Sequence, residues 1–369
     1  MARSSVIVVG AGVAGLACAL ELAERGLAVE IVERGRALGE GSCSWMAGGM
    51  LAPWCERATT EPEIVTWGAP SIAWWAERFP GTMQKGSLVV AQSRDAPDLA
   101  RFADRTERFE WADTERIASL EPDLAGRFRR ALFFAEEAHL DPRRALAALA
   151  ETLRDRGVAI RFGVELALAD ADADIVVDCR GLAARDALPD LRGVRGEMIV
   201  VRSCDVSLAR PVRMLHPRLP LYIVPRGDGL FMIGATMIES EHRGPPSVRS
   251  AVELLNAAYA LHPAFGEAEI LELGADLRPA FPDNLPAVRR GSRSLHVNGL
   301  YRHGFLLGPA MARQAAELAA THRLRGADAV YLAVARRYGT TLVSRDDEQR
   351  TRGTAVVPCQ TPEEALRGR

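Results

Sequence analysis

The chain has 369 residues, of which 48% are hydrophobic and 25% are charged, and its formal net charge is −2. This composition is that of a globular protein with a substantial core, and the length suits two domains in the main body. Because arginine is scattered along the sequence and no basic face is evident, we expect a small-molecule partner rather than nucleic acid or a membrane. No stretch approaches the roughly 20 apolar residues that span a bilayer.

The cysteines indicate the redox environment. There are six, widely spaced and without a Cys-x-x-Cys pair, which argues against a zinc site and against a disulfide framework. The apolar run at residues 6–9 is far too short to be the core of a secretion signal. We therefore expect no bound metal and a cytoplasmic location.

The N-terminal residues predict a complete βαβ unit. The β-branched run Ser5–Val9 predicts a buried parallel strand. A helix follows over about 14–25 with Gly26 as its C-cap, and a second strand over 28–32 leads to Glu33. Strand, helix, strand and terminal acid in this order are typical of a dinucleotide-binding unit.

Three glycines lie between the first strand and the helix with the spacing of a phosphate-binding turn. Gly10 permits the tight turn, Gly12 lets backbone N–H groups approach a pyrophosphate, and Gly15 lets helix and strand pack closely. Glu33 would accept hydrogen bonds from the ribose hydroxyls of adenosine. An acid at that position disfavours NADP, so NAD and FAD remain.

A stretch of small residues at 41–53 follows, with neither helical nor strand period, and ends at Pro53. Small side chains suit close approach to a flat ligand. Taken alone, the composition fits a flexible surface loop equally well.

Five segments, in order along the chain, resemble the D-amino-acid oxidase family and, within it, the glycine oxidases. They are GAGVAG at 10–15, SWMAGGML at 44–51, LYIVPR at 221–226 with GATM at 234–237, LRP at 277–279, and GLYRHG at 299–304. The resemblance covers about residues 1–320. It implies an α/β (α+β overall) fold with a Rossmann-like FAD-binding βαβ domain and an interleaved antiparallel-sheet substrate domain.

The resemblance also implies domain boundaries. The FAD-binding domain would comprise residues 1–75, 140–195 and 287–320, and the substrate-binding domain residues 76–139 and 196–286. Residues 174–181 predict a buried strand ending in a glycine turn, which would return the chain to the FAD domain. The runs 221–225 and 230–233, joined by 226–229, predict a hairpin of the substrate-domain sheet.

The expected FAD contacts lie in the glycine turn, at the end of the second strand, in the small-residue loop and in the later family segments. They are Gly10, Gly12, Val13, Ala14, Gly15, Glu33, Arg34, Ser42, Ser44, Ala47, Gly48, Gly49, Met50, Leu51, Val164, Gly181, Leu300, Tyr301, Arg302, His303, Gly304, Phe305 and Leu306.

Four residues would act on the substrate. Tyr222 corresponds to a tyrosine whose hydroxyl meets the substrate carboxylate, although its periodicity alone favours a core aromatic. The planar fork of Arg278 suits bidentate pairing with that carboxylate, although a surface arginine is the default in so Arg-rich a chain. Met237 would lie beside the substrate or pack in the core, and Arg302 would approach flavin and substrate.

The implied reaction is oxidative deamination of glycine or another small amino acid. The α-hydrogen leaves as hydride to non-covalently bound FAD, dioxygen reoxidises the flavin, and imine or glyoxylate, ammonia and hydrogen peroxide result. Catalysis is then mostly orientation, because the cofactor carries the chemistry. The glycine imine would serve thiazole synthesis in thiamine formation, and family members are often tetramers.

Two departures from relatives bear on the substrate. The sarcosine-oxidising branch uses a flavin-linking cysteine and an active-site lysine, but this chain has no cysteine between Cys204 and Cys359 and no lysine beyond Lys85. That branch is disfavoured. Trp45, the bulky Met46 and the segment 54–56 suggest a narrower pocket, consistent with a small substrate.

The sequence pattern changes at about residue 326. Residues 326–337 predict a helix, and residues 340–346 predict a strand. These residues resemble the C-terminal third of PIN-domain ribonucleases, with Asp328 and Asp346 at two metal-binding carboxylate positions. Two carboxylates make a poor Mg²⁺ site without further ligands. We interpret 321–369 as a fused PIN-like fragment without nuclease activity.

Three other functions stay open. The chain could oxidise D-amino acids or other small amines within the same family. It could be a PIN-type ribonuclease with a vestigial nucleotide fold, or a flavoprotein without catalytic activity. The complete set of FAD motifs and the incomplete set of carboxylates favour the amino-acid oxidase.

Overall fold

The computed structural model of the protein describes residues 5–216, 221–322, 334–335, 338–354 and 357–367. The strands are β1 Ser5–Val9, β2 Ala28–Glu33, β3 Met50–Leu51, β4 Ser87–Ala91, β5 Glu110–Asp113, β6 Arg130–Phe134, β7 Ala138–His139, β8 Ala159–Phe162, β9 Ile175–Asp178, β10 Arg192–Arg202, β11 Val212–Leu215, β12 Leu221–Gly227, β13 Leu230–Gly234, β14 Glu269–Ala280, β15 Ala287–Arg290, β16 Ser294–Asn298, β17 Leu342–Val343 and β18 Cys359–Gln360. The helices are α1 Val13–Glu24, α2 Pro53–Arg57, α3 Pro62–Arg78, α4 Ala96–Ala103, α5 Thr114–Leu120, α6 Pro142–Asp155, α7 Val248–Leu261, α8 Gly304–His322, α9 Asp347–Gly353 and α10 Pro362–Arg367. No helix among the described residues combines the length and the apolar character needed to cross a membrane.

A six-stranded sheet has the order β15-β16-β9-β1-β2-β8, and all neighbours are parallel except the β15–β16 pair. The βαβ unit at its centre is confirmed, with α1 ending before Gly26 in the left-handed conformation. Residues of β1 alternate between two hydrophobic clusters. Val6 and Val8 face the main core, whereas Ile7 and Val9 join a smaller cluster on the other side, as expected of a strand buried on both faces.

Helices α1, α3, α6 and α8 pack together in the main core beside this sheet. Trp74 and Trp75 of α3 are fully buried there, with their rings edge to face. The Trp75 indole N–H donates to the Phe305 carbonyl at 2.7 Å. Because Phe305 lies in the first turn of α8, this bond fixes the start of that helix, which borders the cavities described below.

An eight-stranded sheet has the order β14-β10-β13-β12-β11-β4-β6-β5. Its neighbours are antiparallel apart from the β11–β4 pair, which is parallel. The predicted hairpin is confirmed as β12–β13. Alternation along β12 places Ile223 in the core shared with α7 and Tyr222 on the opposite face, near Met46 and Met198.

The predicted fold class is confirmed, since a Rossmann-like parallel sheet and a largely antiparallel sheet are both present. Strands of the first sheet come from residues 5–33, 159–178 and 287–298, and those of the second from 87–134 and 192–280. The chain therefore passes between the sheets several times. The exact domain boundaries given above stay a prediction.

In the C-terminal region β17 pairs with β18 in parallel, around a small cluster of Ala335, Leu342 and Val357. The strand predicted over 340–346 is present at Leu342–Val343. Asp346 caps α9 by accepting from the Gln349 backbone N–H at 2.9 Å. Asp328 and the predicted helix, apart from residues 334–335, lie outside the described residues.

Candidate active site

The carboxyl ends of the parallel strands border a cavity of about 770 Å³. This volume lies within the range of roughly 300–1,000 Å³ that cofactor and ligand sites occupy. Residues after β1, β2, β8, β9 and β16 all contribute to its wall. Ligands of open parallel sheets bind at this edge, so the fold itself indicates the location of a cofactor.

The glycine turn forms the part of the wall next to α1. Gly10 has a φ of +108°, which only glycine adopts readily. A Cβ at Gly12 would lie 3.2–3.3 Å from the hydroxyls of Ser42 and Ser44, and a Cβ at Gly15 would overlap the Gly10 carbonyl. At the start of α1 the Val13 N–H donates to the Ser44 hydroxyl at 3.2 Å, whereas Gly12 supplies no side-chain cap, so the other N–H groups and the helix dipole suit a pyrophosphate.

Glu33 faces this turn from the end of β2. One carboxylate oxygen accepts from the Ala11 N–H at 2.7 Å, and the other accepts from the Gly35 N–H at 2.8 Å. An ionised carboxylate has about four acceptor positions, so two remain for ribose hydroxyls. These bonds orient the acid before any ligand arrives.

The small-residue loop is held in place, so the flexible-loop alternative does not apply. It forms a short 3₁₀ helix at Cys43–Met46, followed by β3 and α2. Arg226 donates to the Ala47 carbonyl at 2.9 Å, and Arg143 donates to the Trp45 carbonyl at 3.2 Å. The guanidinium of Arg143 also lies 5.2 Å from the centre of the Trp45 ring.

Most residues expected to contact FAD border the large cavity. They are Gly10, Gly12, Val13, Ala14, Glu33, Arg34, Ser42, Ser44, Ala47, Gly48, Val164, Gly181, Leu300, Tyr301, Arg302, Gly304 and Phe305. Gly49, Met50, His303 and Leu306 border a smaller adjoining cavity instead. Gly15 and Leu51 border neither, because Gly15 packs on the glycine turn and the Leu51 side chain is fully buried. Their predicted roles toward FAD stay a prediction.

The smaller cavity has a volume of about 90 Å³. Tyr222, Arg278 and Arg302 border both cavities, and Met237 borders only the smaller one. The structure thus brings together the four residues expected to act on a substrate. Tyr222 is half-buried and lies against Gly48, where a Cβ would approach its ring to 2.8 Å.

Arg278 projects from β14 across the neighbouring strand. One of its N–H groups donates to the Thr236 carbonyl at 2.9 Å. No carboxylate forms an ion pair with it within the described part of the chain. Its remaining N–H groups are therefore able to bind a carboxylate bidentately.

Arg302 is differently engaged. It forms an ion pair with Glu56 of α2, and another of its nitrogens lies 3.3 Å from the Met237 sulfur. The second oxygen of Glu56 pairs with Arg213 of β11. Glu56 and Arg213 also border the smaller cavity. The sequence indicated Glu56 only as part of the segment expected to narrow the pocket, and it gave no signal for Arg213.

The charge states around this cavity follow from burial and pairing. Burial alone would raise the pKa of Glu56, but Arg213 and Arg302 outweigh burial and hold that pKa well below its usual range. Burial lowers the pKa of His303 to about 4, so its imidazole is neutral. Behind the cavity, burial raises the pKa of Glu137 to about 8.

Of the residues expected to narrow the pocket, Glu56 borders the smaller cavity, whereas neither Trp45 nor Trp54 borders either cavity as far as the structure describes them. Trp45 packs over Gly39, and Trp54 packs beneath Arg108. Met46 does border the large cavity. The small cavity next to Arg278 is therefore bounded by arginines, Glu56 and apolar side chains such as Met50 and Met237 rather than by Trp45 or Trp54.

One comparison with known proteins concerns the C-terminal region. A profile of the PIN domain matches residues 289–353, which supports the PIN-like tail and begins earlier than expected. Its first part overlaps β15, β16 and α8, which belong to the six-stranded sheet and the main core. Among the described residues no group of three or more His, Cys, Asp or Glu side chains is placed to hold a metal.

The chain is similar to known oxidoreductases, several of which are named as amino-acid oxidases. A Rhizobium etli protein, whose name assigns it to thiamine biosynthesis as the oxidoreductase ThiO, is 58% identical over 312 residues, which are 84% of this chain and 95% of the relative. The glycine oxidase of Pseudomonas aeruginosa is 28% identical, covering 85% and 94% of the two chains. The crystal structure of glycine oxidase from Geobacillus kaustophilus superimposes with a TM-score of 0.73 at 27% identity, covering 86% and 95%.

The family profile described as FAD dependent oxidoreductase (DAO) matches residues 5–318. This range includes both sheets and both cavities. The match confirms the resemblance stated from the five segments, the enzyme class and FAD as cofactor. The chain therefore belongs to the DAO family of FAD-dependent oxidoreductases.

Proposed function

We propose that the chain oxidises glycine, or an amino acid of similar size, and that Arg278 binds the substrate carboxylate. The observation that carries the proposal is a guanidinium that has no carboxylate partner among the residues the structure describes and that lies where the large cavity meets the small one. Arg278 is half-buried, and a cation that is partly removed from water is stabilised by an incoming anion. Tyr222 borders the same space, so its hydroxyl can donate a second hydrogen bond to the carboxylate.

The residues present suit FAD. Glu33 would hold the adenosine ribose, the N-terminus of α1 the pyrophosphate, and the loops at 42–50 and 300–306 the ring system. FAD supplies the hydride-accepting ring and passes the electrons to dioxygen, which becomes hydrogen peroxide. The protein's contribution is to orient the amino acid and to exclude water.

The proposed substrate size follows from the smaller cavity. Its volume of about 90 Å³ leaves little room for a side chain beyond the α-carbon. Met237 and Met50 form apolar parts of its wall, and neither can satisfy a polar side chain strongly. Glycine, the substrate named for two relatives described above, meets these limits.

The product would be an imine that is released or hydrolysed to glyoxylate and ammonia. The name of the Rhizobium etli relative supports a place in thiamine biosynthesis, where the imine would serve formation of the thiazole. Dioxygen as acceptor and a homo-oligomer, such as a tetramer, are part of the proposal on family grounds. A cytoplasmic location is supported by the cysteines, all six of which are free.

The test is anaerobic reduction of the protein's flavin, followed at its absorbance band. Glycine, sarcosine, D-alanine and D-proline are compared in parallel at matched concentrations. We expect bleaching to be fastest with glycine, because larger substituents collide with the wall of the small cavity. Fastest reduction by D-alanine or D-proline would instead assign a D-amino-acid oxidase, and reduction by none would refute the proposed substrate class.

A further inference from the structure

The smaller cavity is bordered by three guanidinium groups and one carboxylate. The cations are Arg213, Arg278 and Arg302, and the carboxylate is that of Glu56. An amino-acid oxidase of the proposed kind needs one cation for one substrate carboxylate. Arg302 borders the same two cavities as Arg278 and has the same planar fork, so it is a potential competitor for the substrate.

Competition would matter because the proposed substrate is so small. In a cavity of about 90 Å³ glycine can present its carboxylate to either guanidinium. Only one of these arrangements directs the α-hydrogen toward the ring of the cofactor. The other arrangement would occupy the site without reaction.

The ion pairs of Glu56 prevent Arg302 from competing with Arg278 for the substrate carboxylate. Its two carboxylate oxygens are divided between Arg302 and Arg213, while Arg278 has no carboxylate partner in the described ranges. We propose that Glu56 is a positioning residue, which holds Arg302 in an ion pair and so leaves Arg278 as the single cation that binds the substrate carboxylate. This inference rests on the proposed function.

The geometry makes the restraint firm. The Glu56 and Arg213 side chains are only 10% and 8% exposed, so water screens their pair weakly. Because Arg213 holds one oxygen, the carboxylate cannot turn away from Arg302. Burial opposes ionisation of Glu56, but the two arginines outweigh it and keep the pKa low, so the pair persists at neutral pH.

The test is Glu56→Gln, which keeps the shape of the side chain and removes its charge. Arg302 then becomes free to bind carboxylate, and glycine gains a non-productive binding mode. Such a mode lowers kcat and KM by the same factor and leaves kcat/KM unchanged. Because the two guanidinium groups have the same planar fork, the two binding modes should be about equally populated, and we expect both constants to fall about twofold.

Acetate supplies a readout that is independent of turnover. It carries the carboxylate of glycine without an oxidisable amine, and its binding is measured from the flavin difference spectrum. We expect acetate to bind Glu56→Gln more tightly than the wild type. In Arg302→Met, acetate affinity should stay within about twofold of the wild type, because Arg302 does not hold carboxylate while Glu56 occupies it.

Glu121→Gln is the matched control. Glu121 is equally buried and paired with Arg210, but it borders neither cavity. Its loss should lower the melting temperature and leave kcat and KM unchanged. The Glu121→Gln variant therefore shows how loss of a buried ion pair affects the enzyme when the orientation of Arg302 does not change.

Three results would overturn the inference. They are a Glu56→Gln enzyme with lower kcat and unchanged or higher KM, one with wild-type kinetics, and strong loss of acetate binding in Arg302→Met. The Arg302→Met titration decides the question even if Glu56→Gln does not fold. If no amino acid reduces the wild-type flavin, the proposed function fails separately, and the acetate titrations still report on Arg302.

Discussion

The guanidinium of Arg278 lies directly against Gly196 on the neighbouring strand. Strands β10 and β14 pair so that Gly196 is opposite Asp276, two residues before Arg278. A Cβ at position 196 would overlap the guanidinium. The absence of a side chain at Gly196 is therefore what allows Arg278 to reach the junction of the two cavities.

This relationship predicts that Gly196→Ala impairs substrate binding more than stability. Only the end of a flexible side chain has to move, so the melting temperature should change little. The displaced guanidinium should raise the KM for glycine roughly 10- to 100-fold, as expected when a positioning group shifts by about 1 Å. Steady-state kinetics and thermal unfolding measure the two effects.

Gly308→Ala is the control for that substitution. A Cβ there would meet its nearest neighbour, Val13, at an ordinary distance of 3.6 Å. We expect an unchanged KM for glycine. If Gly196→Ala also had a normal KM, Arg278 would not be the carboxylate-binding group.

Glu33→Ala should weaken FAD binding without altering the fold. The variant loses an ionised acceptor for the ribose and the two bonds that Glu33 accepts from Ala11 and Gly35. Bonds to charged groups are worth about 1.5–3 kcal/mol, so the Kd for FAD should rise roughly 10- to 100-fold. Fluorescence titration of the deflavinated protein measures this change.

Glu40→Ala serves as the comparison for Glu33→Ala. Glu40 lies in the same connection and accepts from the Arg36 N–H at 2.7 Å, but it does not border the cavity. It should leave the Kd for FAD unchanged. Equal losses of FAD affinity in both variants would show that FAD binding depends on the conformation of this loop and not on the contact between Glu33 and the ribose.

Glu137→Gln should stabilise the protein at alkaline pH. Glu137 is buried, accepts from the Cys55 N–H at 2.7 Å and bonds the Ser87 hydroxyl, and an amide can replace it in both bonds. Because burial raises its pKa to about 8, the folded chain retains a proton that the unfolded chain loses near pH 4.5. Raising the pH from about 4.5 to about 8 therefore lowers the free energy of unfolding of the wild type by up to about 1.4 kcal/mol per pH unit.

Thermal unfolding at pH 5, 7 and 8.5 measures this difference between wild type and Glu137→Gln. The advantage of the variant should be small at pH 5 and largest at pH 8.5. An advantage that does not depend on pH would contradict the burial of a protonated Glu137.

The sequence predicted those parts of the site whose signals are local. Gly10, Gly12 and Glu33 could be predicted because a turn, a helix start and a strand end each constrain the residue type at short range. The hairpin around Tyr222 was likewise visible in residues 221–233. Alternation along the strand then determined which face Tyr222 occupies.

The pairing of charges could not be predicted in this way. Glu56 and Arg302 are 246 positions apart, and their contact depends on how α2 and the start of α8 pack. In an Arg-rich chain nothing local distinguishes Arg213, which is buried, from an arginine on the surface. Therefore the sequence alone does not show that Arg302 is held in an ion pair while Arg278 is available to a carboxylate. This difference is seen only in the structure.

The central claim is that Arg278 orients a small amino acid for oxidation. Its most direct test is the anaerobic rate of flavin reduction by glycine in the wild type and in Arg278→Met, measured by stopped-flow absorbance. We predict rapid, saturable reduction in the wild type and a loss of at least about 100-fold in the variant, with FAD still bound. Reduction of Arg278→Met by glycine at the wild-type rate and affinity would contradict the account.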